Sequence, residues 1–117
     1  EIAARAALAA ERQGAYPEFQ SALMRGGFVP TPAFLESLAL RIGVDPERMR
    51  ADMDSDAITR AIARSRGLAA LFGFAGTPAL VVGRTMATGA IDDAGLRALI
   101  AREREEGPAP ACAGRAQ

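Results

Sequence analysis

Four residues break the rhythm of this chain. Ala79-Leu80-Val81-Val82 is a short apolar run with two β-branched side chains, bounded by Pro78 and Gly83. Such a run reads as a buried strand, whereas almost everything around it is spaced for helix. Gly83-Arg84-Thr85 can turn the chain, and Met86 to Gly89 can bring it back as a second strand. Two strands alone are marginally stable, and an apolar hairpin leaves ladder groups open unless a third strand pairs with it. The sequence therefore reads as part of a sheet whose other strands lie elsewhere.

The helical remainder is well punctuated. Ile2 to about Gln13 is rich in Ala, with Gly14 as a stop. Pro17 suits a first turn. Phe19 and Leu23, with Tyr16 an optional third, make an apolar face to about Met24, and Gly26-Gly27 ends it. Phe28-Val29-Pro30 connects to Thr31-Pro32, a start signal in which the Thr hydroxyl caps free N–H groups and Pro takes the first helical position. Phe34, Leu38 and Ile42 then recur every four residues beside Leu35 and Ala39, up to Gly43. Asp45-Pro46-Glu47 opens the next helix, with Met49 and Met53 on one face. Asp54 or Ser55 caps a longer one carrying Ile58, Ile62, Ala69 and Phe72, with Leu68 beside them, and Gly73 ends it. After the hairpin, Asp92 caps a last helix with Leu96, Leu99 and Ile100 inward, to about Glu106.

Composition removes several function classes. Fourteen Arg and no Lys stand against 14 Asp plus Glu, for a formal net charge of zero. A general nucleic-acid binder needs an excess of cations facing phosphate, and a polybasic membrane surface needs the same. With no His and one Cys, a tetrahedral zinc site lacks ligands, and Ser-His or Cys-His nucleophile pairs cannot be built within the chain. Gly67 to Gly83 is uncharged but broken by Gly73, Gly76 and Pro78, so it is no membrane span. Alanine fills 27 of 117 positions, which calls for closely packed helices anchored by a few large side chains.

Several groupings have plain structural readings. Met49 and Met53 are core residues rather than an adaptable peptide-binding surface. Asp52, Asp54 and Asp56 alternate as in a calcium loop, but Ala57 and Ala63 stand where that loop needs Gly and Glu. Arg60, Arg64 and Arg66 read as a solvated face, and Arg102 to Glu106 as an exposed helix end. Cys112 lies among Pro, Ala and Gly, with no fixed cation to lower its pKa, and reads as an incidental tail thiol.

Phe72-Gly73-Phe74-Ala75-Gly76-Thr77-Pro78-Ala79-Leu80-Val81-Val82-Gly83 resembles the cis-proline loop and following strand of thioredoxin-fold proteins, in the Gly-Thr-Pro form of DsbA-like disulfide oxidoreductases. Gln13-Gly14-Ala15-Tyr16 with Phe19 and Ala22-Leu23-Met24 is similar to the start of that family's helical insert. Ile42-Gly43-Val44-Asp45 with Met49, Asp52-Met53 and Ser55 is similar to its later insert helices. Thr88-Gly89-Ala90 with Leu96 and Ile100 is similar to its final strand and helix. The resemblance implies a partial α/β thioredoxin-like fold: a mainly helical insert over 1–73 and a strand-strand-helix unit over 74–106. The tail over 107–117, built of Gly, Pro and Ala for the most part, reads as disordered.

The family's Cys-x-x-Cys precedes the helical insert, and this sequence contains no such pair. No catalytic residue is therefore expected here, nor any metal or cofactor. The chain opens Glu1-Ile2-Ala3-Ala4-Arg5, without Met and without a secretory signal, as though within a helix whose upstream part was processed or lost. The resemblance assigns substrate positioning to Gly76, Thr77 and Pro78, with a cis Thr77–Pro78 bond turning the Thr77 backbone toward the reactive sulfur. It implies a thiol–disulfide oxidoreductase acting on cysteine-containing exported polypeptides in the periplasm or another extracytoplasmic space. A missing N-terminal segment, or a second chain, would pair the hairpin's open edge. Two alternatives stay open: a glutathione-dependent isomerase or kappa-class transferase of the same fold, from which Thr77 leans away, and a non-catalytic helical peptide-binding module.

Overall fold

The computed structural model describes residues 1–27 and 29–107. Phe28, Cys112 and the tail from 108 onward lie outside the described residues. The element order is α1 (Ile2–Glu11), α2 (Tyr16–Arg25), α3 (Pro32–Arg41), α4 (Pro46–Met53), α5 (Asp56–Leu71), β1 (Ala79–Val82), β2 (Thr85–Thr88) and α6 (Asp93–Glu105). The chain divides into two compact units, Glu1–Leu68 and Ala69–Gln117.

In the first unit α1 packs against α2, α3 and α4. Ala6, Ala9 and Ala10 have no exposed surface and Ala7 almost none. A methyl side chain lets neighbouring backbones come close, and close packing recovers dispersion energy that a loose interface would forfeit. The bulk comes from elsewhere: Phe19 on α2, Leu35 and Leu38 on α3, Met49 on α4 and Ile58 on α5, all buried with Ala39 and Val44. Phe34, Ile42, Met53 and Ile62 are half-buried around them.

Polar side chains fix the helix ends. The Thr31 hydroxyl accepts from the Phe34 N–H at 3.2 Å, and Asp45 Oδ1 accepts from Glu47 and Arg48 N–H at 2.9 and 3.2 Å. Of the two candidate caps of α5, Ser55 is the one used, its hydroxyl accepting from Ile58 N–H at 3.4 Å. Gly43, at φ +78°, lets Val44 N–H reach back to the Ala39 carbonyl at 2.8 Å, which closes α3. The Gln13 side-chain amide then pairs with both backbone groups of Asp45, donating at 3.1 Å and accepting at 2.9 Å. That pairing ties the α3–α4 connection to the end of α1.

Arg5 is the second tie. Its guanidinium donates to the Met53 carbonyl at 2.9 Å, to Thr59 Oγ1 at 3.1 Å and to Glu1 Oε1. Arg66 reaches the other Glu1 oxygen at 2.8 Å, so one of the three arginines read as a solvated face has an ion-pair partner. Asp52 accepts from Arg12 at 2.6 Å with Arg48 at 3.8 Å, and Asp54 is the C-cap of α4.

In the second unit β1 and β2 pair antiparallel, Val82 opposite Thr85 and Ala79 opposite Thr88. The return strand starts at Thr85 rather than Met86, because a two-residue turn, Gly83-Arg84, leaves Thr85 directly across from Val82. The strand read as buried is only half so. Val81 and its cross-strand partner Met86 are 42% and 54% exposed, since a two-stranded sheet with α6 packed on β1 leaves that face open. For the same reason Leu96, Leu99 and Ile100, placed inward by their spacing, are half-buried, and α6 has no fully buried residue.

Two substitutions separate the roles of bulk and closeness in the first unit. Leu38→Ala should cost about 2–5 kcal/mol by leaving a cavity. Ala9→Leu should cost about 1–3 kcal/mol although it adds apolar surface, because no room exists beside a fully buried methyl. Urea unfolding with unchanged slope is the measurement; a neutral Ala9→Leu would mean that the α1 interface is loose.

Candidate functional site

Between α5 and β1 the chain runs through Phe72 to Pro78. Gly73 and Phe74 N–H donate back to the Ala70 and Ala69 carbonyls at 3.1 and 2.9 Å. The Phe72 and Phe74 rings lie 5.9 Å apart at a 35° tilt, a favourable offset. Gly76, Thr77 and Pro78 follow, all exposed, and the Thr77–Pro78 peptide bond is cis. A Cβ at Gly76 would meet nothing within 4 Å, so the approach to the loop is open on that side.

The hydrogen bonding of this loop is asymmetric. The Pro78 carbonyl accepts from Gly89 N–H at 2.9 Å, which extends the β1–β2 ladder by one step. Among the described residues, neither the N–H nor the C=O of Thr77 has a partner. Exposed, unpaired backbone groups at the start of a strand are where an added extended segment pairs most readily. The loop carries no titratable group and no thiol of its own. Among the described residues no cluster of His, Cys, Asp or Glu is placed to hold a metal ion, and no helix is long and apolar enough to cross a membrane.

At the other end of β1 a carboxylate grips the turn. Gly83 sits at φ +57° while Arg84 has no positive φ, the pattern of a turn with glycine first. Glu103 on α6 packs into that turn: Oε2 accepts from Arg84 N–H at 3.0 Å and Oε1 from the Thr85 hydroxyl at 2.5 Å. Arg102 donates to the same Thr85 oxygen at 2.9 Å. With that oxygen accepting from arginine, the single hydroxyl proton is free to go to Glu103. Arg84 Nη2 also meets Glu106 at 2.7 Å. The Glu103 side chain is 9% exposed, against the expectation of a wholly exposed helix end. The signal was in the spacing, since Leu96, Leu99, Ile100 and Glu103 share one helical face. The Thr85 hydroxyl, then the Arg84 N–H, hold the Glu103 carboxyl below the usual carboxylate range.

The sequence profile of a DSBA-like thioredoxin domain matches residues 1–101. Among solved structures, the crystal structure of a thioredoxin-like oxidoreductase from Silicibacter pomeroyi is similar, with 36% identity and a TM-score of 0.83. The match covers 89% of this chain and 60% of that one, so the chain spans about three-fifths of the length of that structure. No curated protein matches.

A depressed carboxyl pKa stabilises the fold above its unfolded value, and that stabilisation is lost as pH falls through the folded value. The Arg84 amide resonance should therefore titrate with a midpoint below the ordinary value of about 4.3, and Glu103→Gln should abolish the step. A midpoint at or above 4.3 would contradict the clamp. Gly83→Ala should destabilise the hairpin by more than about 1 kcal/mol, because φ is positive there and a Cβ would lie 2.8 Å from the Glu103 carboxyl carbon; loss of the Val82–Thr85 cross-strand contact by NMR reads it.

Proposed function

This chain belongs to the DSBA-like thioredoxin domain family, and from that premise we propose that it is the substrate-positioning part of a thiol–disulfide oxidoreductase. In this reading residues 1–73 are the helical insert and 74–106 the strand-strand-helix unit that carries the loop. The substrates are cysteine-containing polypeptides in an extracytoplasmic compartment. The observation that carries the reading is the Thr77 backbone, just ahead of β1, whose N–H and C=O find no partner among the described residues. An extended polypeptide pairing there as a short added strand is held by main-chain hydrogen bonds, so its side chains can vary.

Strands supplied from outside this sequence, in cis or in trans, complete the sheet along the hairpin's open edge. The reactive dithiol is supplied in the same way, because Cys112 has no second cysteine in this chain. In the oxidising direction a substrate thiolate attacks one sulfur of the enzyme disulfide, and an enzyme thiolate leaves. The second substrate thiolate then attacks the mixed disulfide and releases the other enzyme thiolate. Two electrons pass to the dithiol, and the substrate gains one S–S bond. Residues Gly76 to Pro78 contribute by holding the attacking segment in register during both displacements.

The product of the complete reading frame provides the test. It should oxidise a reduced polypeptide, and Thr77→Arg, which lays a long side chain over the path of the added strand, should raise KM for that polypeptide about tenfold, on the order of 1.4 kcal/mol. Its reaction with a small dithiol should stay within about twofold. A product inactive in thiol exchange would overturn the reading; an equal loss with both substrates would overturn the role of Thr77.

A further inference from the structure

The loop and the turn lie at opposite ends of one short strand. β1 has four residues, so roughly 16 Å of extended chain separates Gly83 from Pro78. Nothing in that ladder is strong by itself. A two-stranded hairpin is marginally stable, its Val81–Met86 face is open, and α6 gives it only half-buried apolar side chains. The Glu103 cluster is the densest polar anchorage the hairpin has. The carboxylate takes one backbone and one hydroxyl donor from consecutive residues, Arg84 and Thr85, while Arg102 orients that hydroxyl and Glu106 holds the Arg84 guanidinium. Glycine at position 83 is what lets the carboxylate approach, since any Cβ would overlap it.

We infer that Glu103 is a positioning residue for the Gly76–Pro78 loop, acting along β1 from the far end of the hairpin. With the turn pinned to α6, the Val82–Thr85 pair is fixed and the pairs up to Ala79–Thr88 stay in register. The Gly89-to-Pro78 hydrogen bond then presents the free Thr77 backbone in one orientation. With the turn released, pairing frays from that end, and the loop samples orientations that cannot pair with an extended chain. The inference deepens the function proposed above and rests on it for the identity of the loop as substrate platform.

Hydrogen exchange of individual amides in the full chain tests the coupling directly. Glu103→Gln should speed exchange at Arg84 and at Gly89 about tenfold, leaving Phe19 and Leu35 in the first unit unchanged. Arg84→Ala keeps the backbone donor and should leave Gly89 as it was. Should Glu103→Gln fail to fold, Thr85→Val removes the hydroxyl that donates to Glu103 and accepts from Arg102, and should reproduce the faster Gly89 exchange. If Arg84 responds and Gly89 does not, Glu103 is a local turn cap and the inference falls. In the complete reading-frame product, Glu103→Gln should raise KM for a polypeptide several-fold without changing kcat toward a small dithiol. Coupled amides with an unmoved KM would sink the substrate reading and leave the coupling intact, whereas an uncoupled Gly89 sinks the positioning role whatever KM does.

Discussion

The first unit depends on how closely its helices can approach α1. With Ala6, Ala9 and Ala10 stripped of all exposed surface, α1 adds little apolar area of its own. Its contribution is to let Phe19, Leu35, Leu38 and Met49 fill a common space from three surrounding helices. An alanine face packs well only if its partners are held at the right angles and heights. The polar ties do that work, with Gln13 on the Asp45 backbone at one end of α1 and Arg5 on Met53 and Thr59 toward the other. Two of these bonds, at the Asp45 N–H and the Met53 carbonyl, satisfy backbone groups that would otherwise be left open at a helix end.

The second unit solves a different problem. Its hairpin is too short to stand by apolar packing, and one of its faces is bare. What α6 lacks in buried area it supplies in directed hydrogen bonds to the turn. The Glu103 side chain is mostly shielded from water, so its bonds to Arg84 and Thr85 are less screened than those of the neighbouring exposed pairs. An exposed pair such as Arg97 with Asp93 contributes little to stability. The two ends of β1 thus differ in kind. One is clamped by a carboxylate, and beyond the other the Thr77 backbone groups find no partner among the described residues.

That asymmetry suits the proposed role, which needs a fixed platform for a variable guest. Main-chain pairing tolerates many side chains, while a platform that drifts by an ångström loses the orientation that nucleophilic displacement at sulfur requires.

The helix starts were legible in the sequence because capping is local: Thr31-Pro32, Asp45-Pro46 and Asp92 each announce a start through chemistry within three residues. The hairpin was legible because its period differs from everything around it. The thioredoxin-like family was legible in the segment from Phe72 to Gly83, read together with the flanking insert and final-helix residues. What the sequence could not set was burial. Val81 reads as core by hydropathy but is open, and Glu103 reads as solvated by charge but is held against a turn. Both outcomes depend on what packs alongside, which distance in space decides and local spacing does not. Local hydrogen bonding and periodicity determined which elements form, and tertiary packing alone decided which carboxylate grips the turn and which of the described backbone groups find no partner.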